Sequence, residues 1–290
     1  MKSVLLLSFA ALLCAALPLS AAPLKIVAAE NFYGGVARQL AGDDADVTSI
    51  LTNPNQDPHE FTSSAQTARA VADADVVIYS GIGYDEWIEK LLGIQGKPGR
   101  VIINVADLIG AKDGDNPHIW YDPKTMPALG AKLVEVLSQH NPSSTAVYQR
   151  ALASFQSSMQ PELDQIAALR KTTQDMKVTA TEPVFGYMAA ALGFKMLNYD
   201  FQVKVMNDTE PSAAETAAFE ATLSSHEAKL LFYNSQVTDP TTDRLRKLAK
   251  DAGVPIVGVT ETQPPDQPTY VAWMRHELDA IKAALPPKNG

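Results

Sequence analysis

Between Pro123 and Lys177 the chain shows no strand signal, and from Ser143 to Thr173 it carries one long helical pattern. Leu152, Phe155, Met159, Leu163, Ile166 and Leu169 recur at spacings of three and four, the period of a helix with one apolar stripe. Unbroken, that segment spans about 46 Å at 1.5 Å per residue, with Pro161 as the place where it can kink. It reads as a rigid connector between an N-terminal and a C-terminal half.

Both halves read alike. Ahead of the connector, apolar strands at Leu24–Ala29, Asp46–Thr52, Asp75–Ser80 and Val101–Ile103 alternate with helical stretches. Behind it come strands at Lys177–Ala180, Lys229–Tyr233 and Ile256–Val259, a helix opened by Pro183, a basic helix from Asp243 to Ala252 and a closing helix from Tyr270 to Leu285. Strands alternating with helices imply βα units and mainly parallel sheets. The expected fold is therefore α/β, two βα lobes joined by a long helix. Residues 23–142 form the N-terminal lobe, 143–173 the linking helix and 174–290 the C-terminal lobe.

The first 22 residues read as a cleaved signal peptide: Lys2, an apolar run from Val4 to Ala16, then small residues around Ala21 and Ala22. The run is too short to span a membrane. The single cysteine, Cys14, lies inside it behind Leu13, not behind the small residue of a lipoprotein signal, so no lipid anchor is expected. The mature chain then has no thiol, and any metal site must use nitrogen and oxygen ligands. With a net charge of −9, nucleic acid and anionic membrane surfaces are poor partners. The expectation is an exported, periplasmic, soluble monomer without membrane insertion.

Four side chains capable of holding a metal fall just after strands. His59 follows Asp57-Pro58, and His118 follows Asn116-Pro117, ahead of a helix expected to start with Asp122 as cap and Pro123 in its first turn. Glu182 precedes Pro183, and Glu261 lies in Thr260-Glu261-Thr262. The crevice beyond the carboxyl ends of parallel strands is where open α/β sheets bind ligands, and two candidates come from each half. Asp57, Glu60 and Asp122 read as caps or as partners orienting the histidines. His140, His226 and His276 read as surface residues, and Trp120, Tyr121, Phe185 and Tyr187 mostly as core.

Ala29-Glu30-Asn31-Phe32-Tyr33-Gly34, Asp57-Pro58-His59-Glu60-Phe61, Ser80 to Trp87, Asn116-Pro117-His118-Ile119-Trp120, Phe185-Gly186-Tyr187 and Glu210-Pro211-Ser212 occur in this order along the mature chain. In these stretches the sequence resembles the solute-binding proteins of zinc and manganese ABC importers, the group with two lobes joined by a long helix. The resemblance implies a metal site in the cleft between the lobes, with His59 and His118 as ligands. It places Glu182 where the family has histidine or glutamate, and Glu261 where the family usually has aspartate.

A site of two imidazoles and two carboxylates accommodates manganese, ferrous iron or zinc. Glutamates that bind through both oxygens lean toward manganese, and so does the resemblance, since the stretch Gly110–Asn116 lacks the histidine-rich tract of many zinc-specific members of the family. The implied function is capture of one divalent transition metal and its delivery to a membrane permease of an ABC importer, with no enzymatic activity. The alternatives are a zinc hydrolase using His59, His118 and Glu182, or a metal-buffering or adhesin protein on the same scaffold. Neither His-Glu-x-x-His nor Gly-x-Ser-x-Gly is present for the hydrolase.

Overall fold

The computed structural model describes residues 22–54, 56, 58–59, 61–94, 96–237 and 240–285. Residues 1–21, where most of the expected signal peptide falls, with Cys14, and the two carboxylates Asp57 and Glu60 lie outside the described residues.

The N-terminal half runs β1 (Leu24–Glu30), α1 (Asn31–Ala41), β2 (Ala45–Leu51), α2 (Ala65–Asp73), β3 (Val76–Tyr79), α3 (Glu86–Leu92), β4 (Val101–Asn104), α4 (Val105–Ile109) and α5 (Thr125–His140). After α6 (Thr145–Thr173) come β5 (Lys177–Ala180), α7 (Gly186–Ala191), β6 (Lys195–Leu197), α8 (Tyr199–Met206), α9 (Ala213–Ser224), β7 (Leu231–Asn234), α10 (Pro240–Asp251), β8 (Ile256–Val259) and α11 (Tyr270–Ala284). Each half builds a four-stranded sheet, ordered β2-β1-β3-β4 and β6-β5-β7-β8, and every pairing is parallel. The inner strand β3, Val76-Val77-Ile78-Tyr79, is buried along its whole length, whereas the edge strand β2 is only partly so. That contrast is the mark of a sheet covered on both faces. The strand order reverses direction between β1 and β3, and again between β5 and β7, so each lobe opens a crevice at its strands' carboxyl ends.

The connector is one helix. α6 runs through Pro161 without interruption, and its two ends are tied to different lobes. Tyr148 donates to Asp44 in the N-terminal half, while Thr173 Oγ1 donates to the Leu192 carbonyl at 2.6 Å in the C-terminal half. Beneath the cleft the lobes share an aromatic core. Phe32 stacks on Trp120 at 5.0 Å and on Trp273 at 5.6 Å, and Tyr121 packs on Phe185 at 4.9 Å and on Trp273 at 5.5 Å. Trp120, Tyr121 and Phe185 are thus core residues as expected, and Tyr187 is half-buried. No helix among the described residues is long and apolar enough to cross a membrane.

Two local readings change. The helix after His118 does not start at Asp122-Pro123. A 3-10 turn at Ile119–Tyr121 comes first, and α5 begins at Thr125. Asp122 caps the intervening turn instead: its Oδ1 accepts the Lys124 N–H at 3.1 Å and its carbonyl accepts the Thr125 N–H at 2.9 Å. Between Gly193 and Ala228 no element is expected from the sequence, yet β6, α8 and α9 lie there. β6 is only three residues long and carries little periodicity, but α9 has a legible start. Ser212 Oγ accepts the Glu215 N–H while the Glu215 carboxylate accepts the Ser212 N–H, a reciprocal capping box.

Candidate metal centre

Each candidate ligand stands where a parallel strand delivers it. His59 follows β2, His118 follows β4 and the short α4, and Glu182 and Glu261 each come two residues after a strand, β5 and β8. The structure brings three of them together: His59, His118 and Glu261 each offer a ligand atom within 4.8 Å of the others. His59 Nε2 lies 3.4 Å and His118 Nε2 3.3 Å from Glu261 Oε2. His118 and Glu261 are fully buried, and His59 keeps 18% of its side chain exposed.

Glu182 is buried as well but stands outside this triad. It is linked to it through Asn234, whose Nδ2 donates to Glu182 Oε2 at 3.3 Å and to Glu261 Oε1 at 2.5 Å.

The charges are arranged for a cation. Burial alone would push the Glu261 carboxyl up, but the two histidines facing it outweigh burial and hold it well below the usual carboxylate range. Burial lowers the His118 pKa, with Glu261 opposing, so the ring is neutral at pH 7 and keeps a lone pair for a metal. Asn116 Oδ1 lies 2.7 Å from His118 Nδ1 and also accepts the His118 backbone N–H at 3.1 Å. An oxygen at that position requires the proton on Nδ1 and leaves the Nε2 lone pair directed toward Glu261.

Asn116, and not Asp122, therefore orients this histidine. It also joins the lobes, since its Nδ2 donates to the Pro183 carbonyl at 2.7 Å and its own carbonyl accepts from Tyr187 Oη at 2.9 Å. Gly186 makes room for this contact. A Cβ there would stand 2.6 Å from Asn116 Nδ2, and Asn116 is tethered on three sides. Gly186→Ala is expected to cost about 1–2 kcal/mol of stability by overpacking. It should also weaken metal binding through the displaced Asn116, both read by thermal unfolding with and without metal.

Tyr84 supplies a third restraint, donating to Glu261 Oε2 at 2.9 Å across the cleft. It is carried on a turn that only particular residues can make: Gly81, Ile82 and Gly83 all have positive φ, at 81°, 45° and 84°. Asp85 fixes that turn, its carboxylate accepting the Ser80 N–H at 2.6 Å and the Gly81 N–H at 2.9 Å. Burial raises Asp85 to about 6 and, together with the Asp85 charge, pushes Glu30 well above its ordinary value.

Further clasps cross the cleft. Gln236 Nε2 donates to the Pro54 carbonyl at 2.7 Å, Asn31 Nδ2 donates to the Gln263 carbonyl at 2.8 Å, and Tyr121 Oη donates to the Thr260 carbonyl at 2.7 Å. Sequence reasoning missed Tyr84, Asn234 and Gln236 as parts of the site. The only signal for the last two was their place at or just beyond a strand's end. His140, His226 and His276 are exposed and take no part in the cluster, as expected.

Known proteins match most of this chain. A manganese-binding lipoprotein, MntA of Halalkalibacterium halodurans, is 23% identical, the match covering 90% of this chain and 88% of that protein. The iron ABC transporter substrate-binding lipoprotein MtsA of Streptococcus pyogenes serotype M1 is 25% identical, covering 90% and 89%. Among solved structures, the periplasmic zinc binding protein TroA of Treponema pallidum superposes with a TM-score of 0.76 at 18% identity, covering 91% of this chain and 99% of that one. An Mn-bound periplasmic metal binding protein of Candidatus Liberibacter asiaticus does so with a TM-score of 0.73 at 21% identity, covering 90% and 99%. These two share the fold. Both curated relatives are lipoproteins, and the expectation of no lipid anchor, drawn from Leu13 before Cys14, is withdrawn on that finding. The protein is extracytoplasmic. Residues 26–284 match the profile of zinc-uptake complex component A, periplasmic, and the chain belongs to that family, ZnuA.

Proposed function

We propose that the protein captures one divalent transition metal (zinc, manganese or ferrous iron) in the periplasm and hands it to the membrane permease of an ABC importer. His59, His118 and Glu261 are the ligands brought together in this state, and Glu182 is the fourth, one hydrogen-bond partner away. The observation that carries the reading is the convergence of two imidazole Nε2 atoms from the N-terminal lobe, at 3.3 and 3.4 Å, on one carboxylate oxygen of the C-terminal lobe. A buried anion faced by two imidazole nitrogens is a donor set with the charge and chemistry a divalent cation requires. The family consists of substrate-binding proteins, and the hydrolase alternative finds no support among its members.

Shared aromatic packing under the cleft and a helix tied to both lobes favour small lobe movements on loading over wide hinge closure. The test is metal-induced thermal stabilisation, since a ligand bound only by the folded state raises the unfolding temperature. His59→Ala is expected to weaken binding about 10- to 100-fold, removing about 1.4–2.7 kcal/mol of that stabilisation. An unchanged metal response in this variant would remove His59 from the site.

A further inference from the structure

Asn234 closes β7, is almost fully buried and sits between the two acidic side chains of the cleft. Its amide orientation is fixed from behind, because Oδ1 accepts the Gln236 N–H at 3.0 Å, which turns Nδ2 toward the carboxylates. The two N–H bonds of that nitrogen go one to Glu261 Oε1 at 2.5 Å and one to Glu182 Oε2 at 3.3 Å. Glu261 is also pinned through its main chain. Gln236 Oε1 accepts the N–H groups of both Glu261 and Thr262, the latter at 2.7 Å. Its carboxylate therefore presents one oxygen, Oε2, to the histidines, while the other is held away by Asn234.

We infer that Asn234 is a specificity-determining residue: by holding Glu261 to a single presented oxygen, it keeps the site at a low coordination number and biases it toward zinc over manganese. The inference rests on the metal-capture reading and deepens it. Zinc is satisfied by about four nitrogen and oxygen ligands, which two imidazoles and one oxygen from each glutamate supply. Manganese prefers a larger, oxygen-rich set approaching six, and a glutamate contributes to that only when both its oxygens turn to the ion. The lean toward manganese drawn from the residue types assumed such two-oxygen binding, and the hydrogen bond from Asn234 opposes it. Removing the amide frees Glu261 Oε1 to turn inward and releases Glu182 from its tether, both of which favour the larger ion.

The experiment compares wild type with Asn234→Ala and Asn234→Ser, titrating manganese and zinc against a competing chelator. X-ray absorption on the zinc-loaded and electron paramagnetic resonance on the manganese-loaded wild type complete it. The ratio of manganese to zinc dissociation constants is expected to fall about tenfold in the alanine variant, within the range that partners of metal ligands command. Serine, which keeps one donor, should fall between. A merely structural role would weaken both metals together and leave the ratio unmoved, and that result overturns the inference. Should the alanine variant not fold, the wild type decides alone, since zinc bound through both oxygens of Glu261 overturns it equally. Failure of the wild type to bind either metal would instead sink the capture reading itself.

Discussion

Glu261→Ala is expected to lower the affinity for zinc or manganese by more than about 100-fold, beyond the range that loss of a partner behind the ligands commands. The reason is the position of this carboxylate at the centre of every restraint in the cleft. Both histidines, Tyr84 and Asn234 point at it, from both lobes. Without it the site keeps its two imidazoles and loses the negative charge nearest to them. The same substitution should act differently on the metal-free protein. There the partners of the anion outweigh the cost of burying it, so the unloaded variant is expected to unfold at a lower temperature, with Tyr84 and Asn234 left without their acceptor. Chelator competition and thermal unfolding with and without metal separate the two effects. Affinity within about tenfold of wild type would mean that the carboxylate is an ion-pair partner of the histidines and not a ligand.

The contrast between what the sequence revealed of this cleft and what it concealed comes from distance along the chain. His59, His118, Glu182 and Glu261 could be found because a ligand's place in a parallel sheet is a local matter. Each comes after an apolar strand, Glu182 and Glu261 two residues past β5 and β8, His59 in the stretch after β2 and His118 in the stretch after β4 and α4, and the strands are readable one at a time. What holds those side chains is not local. Tyr84 reaches a residue 177 positions away, and Asn234 reaches one 52 positions earlier. No window of periodicity contains such a pair.

The connector was legible for the opposite reason, being a single segment whose stripe from Leu152 to Leu169 repeats for about five turns of helix, and Pro161 within it did not end it. α9 was hidden even at short range. Its Ala-rich composition has no clear apolar face, so only the Ser212–Glu215 cap marked it. Asp122-Pro123 misled for a different reason. The signal for a helix start was real, but a 3-10 turn containing the buried Ile119-Trp120-Tyr121 pulled the chain into the core first and delayed the helix.

The second large effect lies away from the ligands, in α11. Glu277 is buried against Trp273, whose Nε1 donates to its Oε1 at 3.2 Å. Burial pushes its pKa up to about 8, against smaller opposing contributions from Trp273, the Thr260 backbone and Tyr121. The unfolded chain gives up this proton near pH 4.5, so between there and pH 8 the folded state binds more protons than the unfolded one. Stability therefore falls as pH rises through that window and levels off above it. The shift amounts to about 3–5 kcal/mol at the alkaline end. Glu277→Gln keeps an oxygen for Trp273 but cannot ionise, so it escapes this loss. The variant should match wild type near pH 5, and its advantage in unfolding temperature should grow steadily to pH 8 and above. The measurement is denaturant or thermal unfolding of metal-free protein across pH 5–9, where metal binding does not contribute. Parallel pH profiles for the two proteins would show that Glu277 ionises in the folded state as easily as in the unfolded one, against the burial that surrounds it.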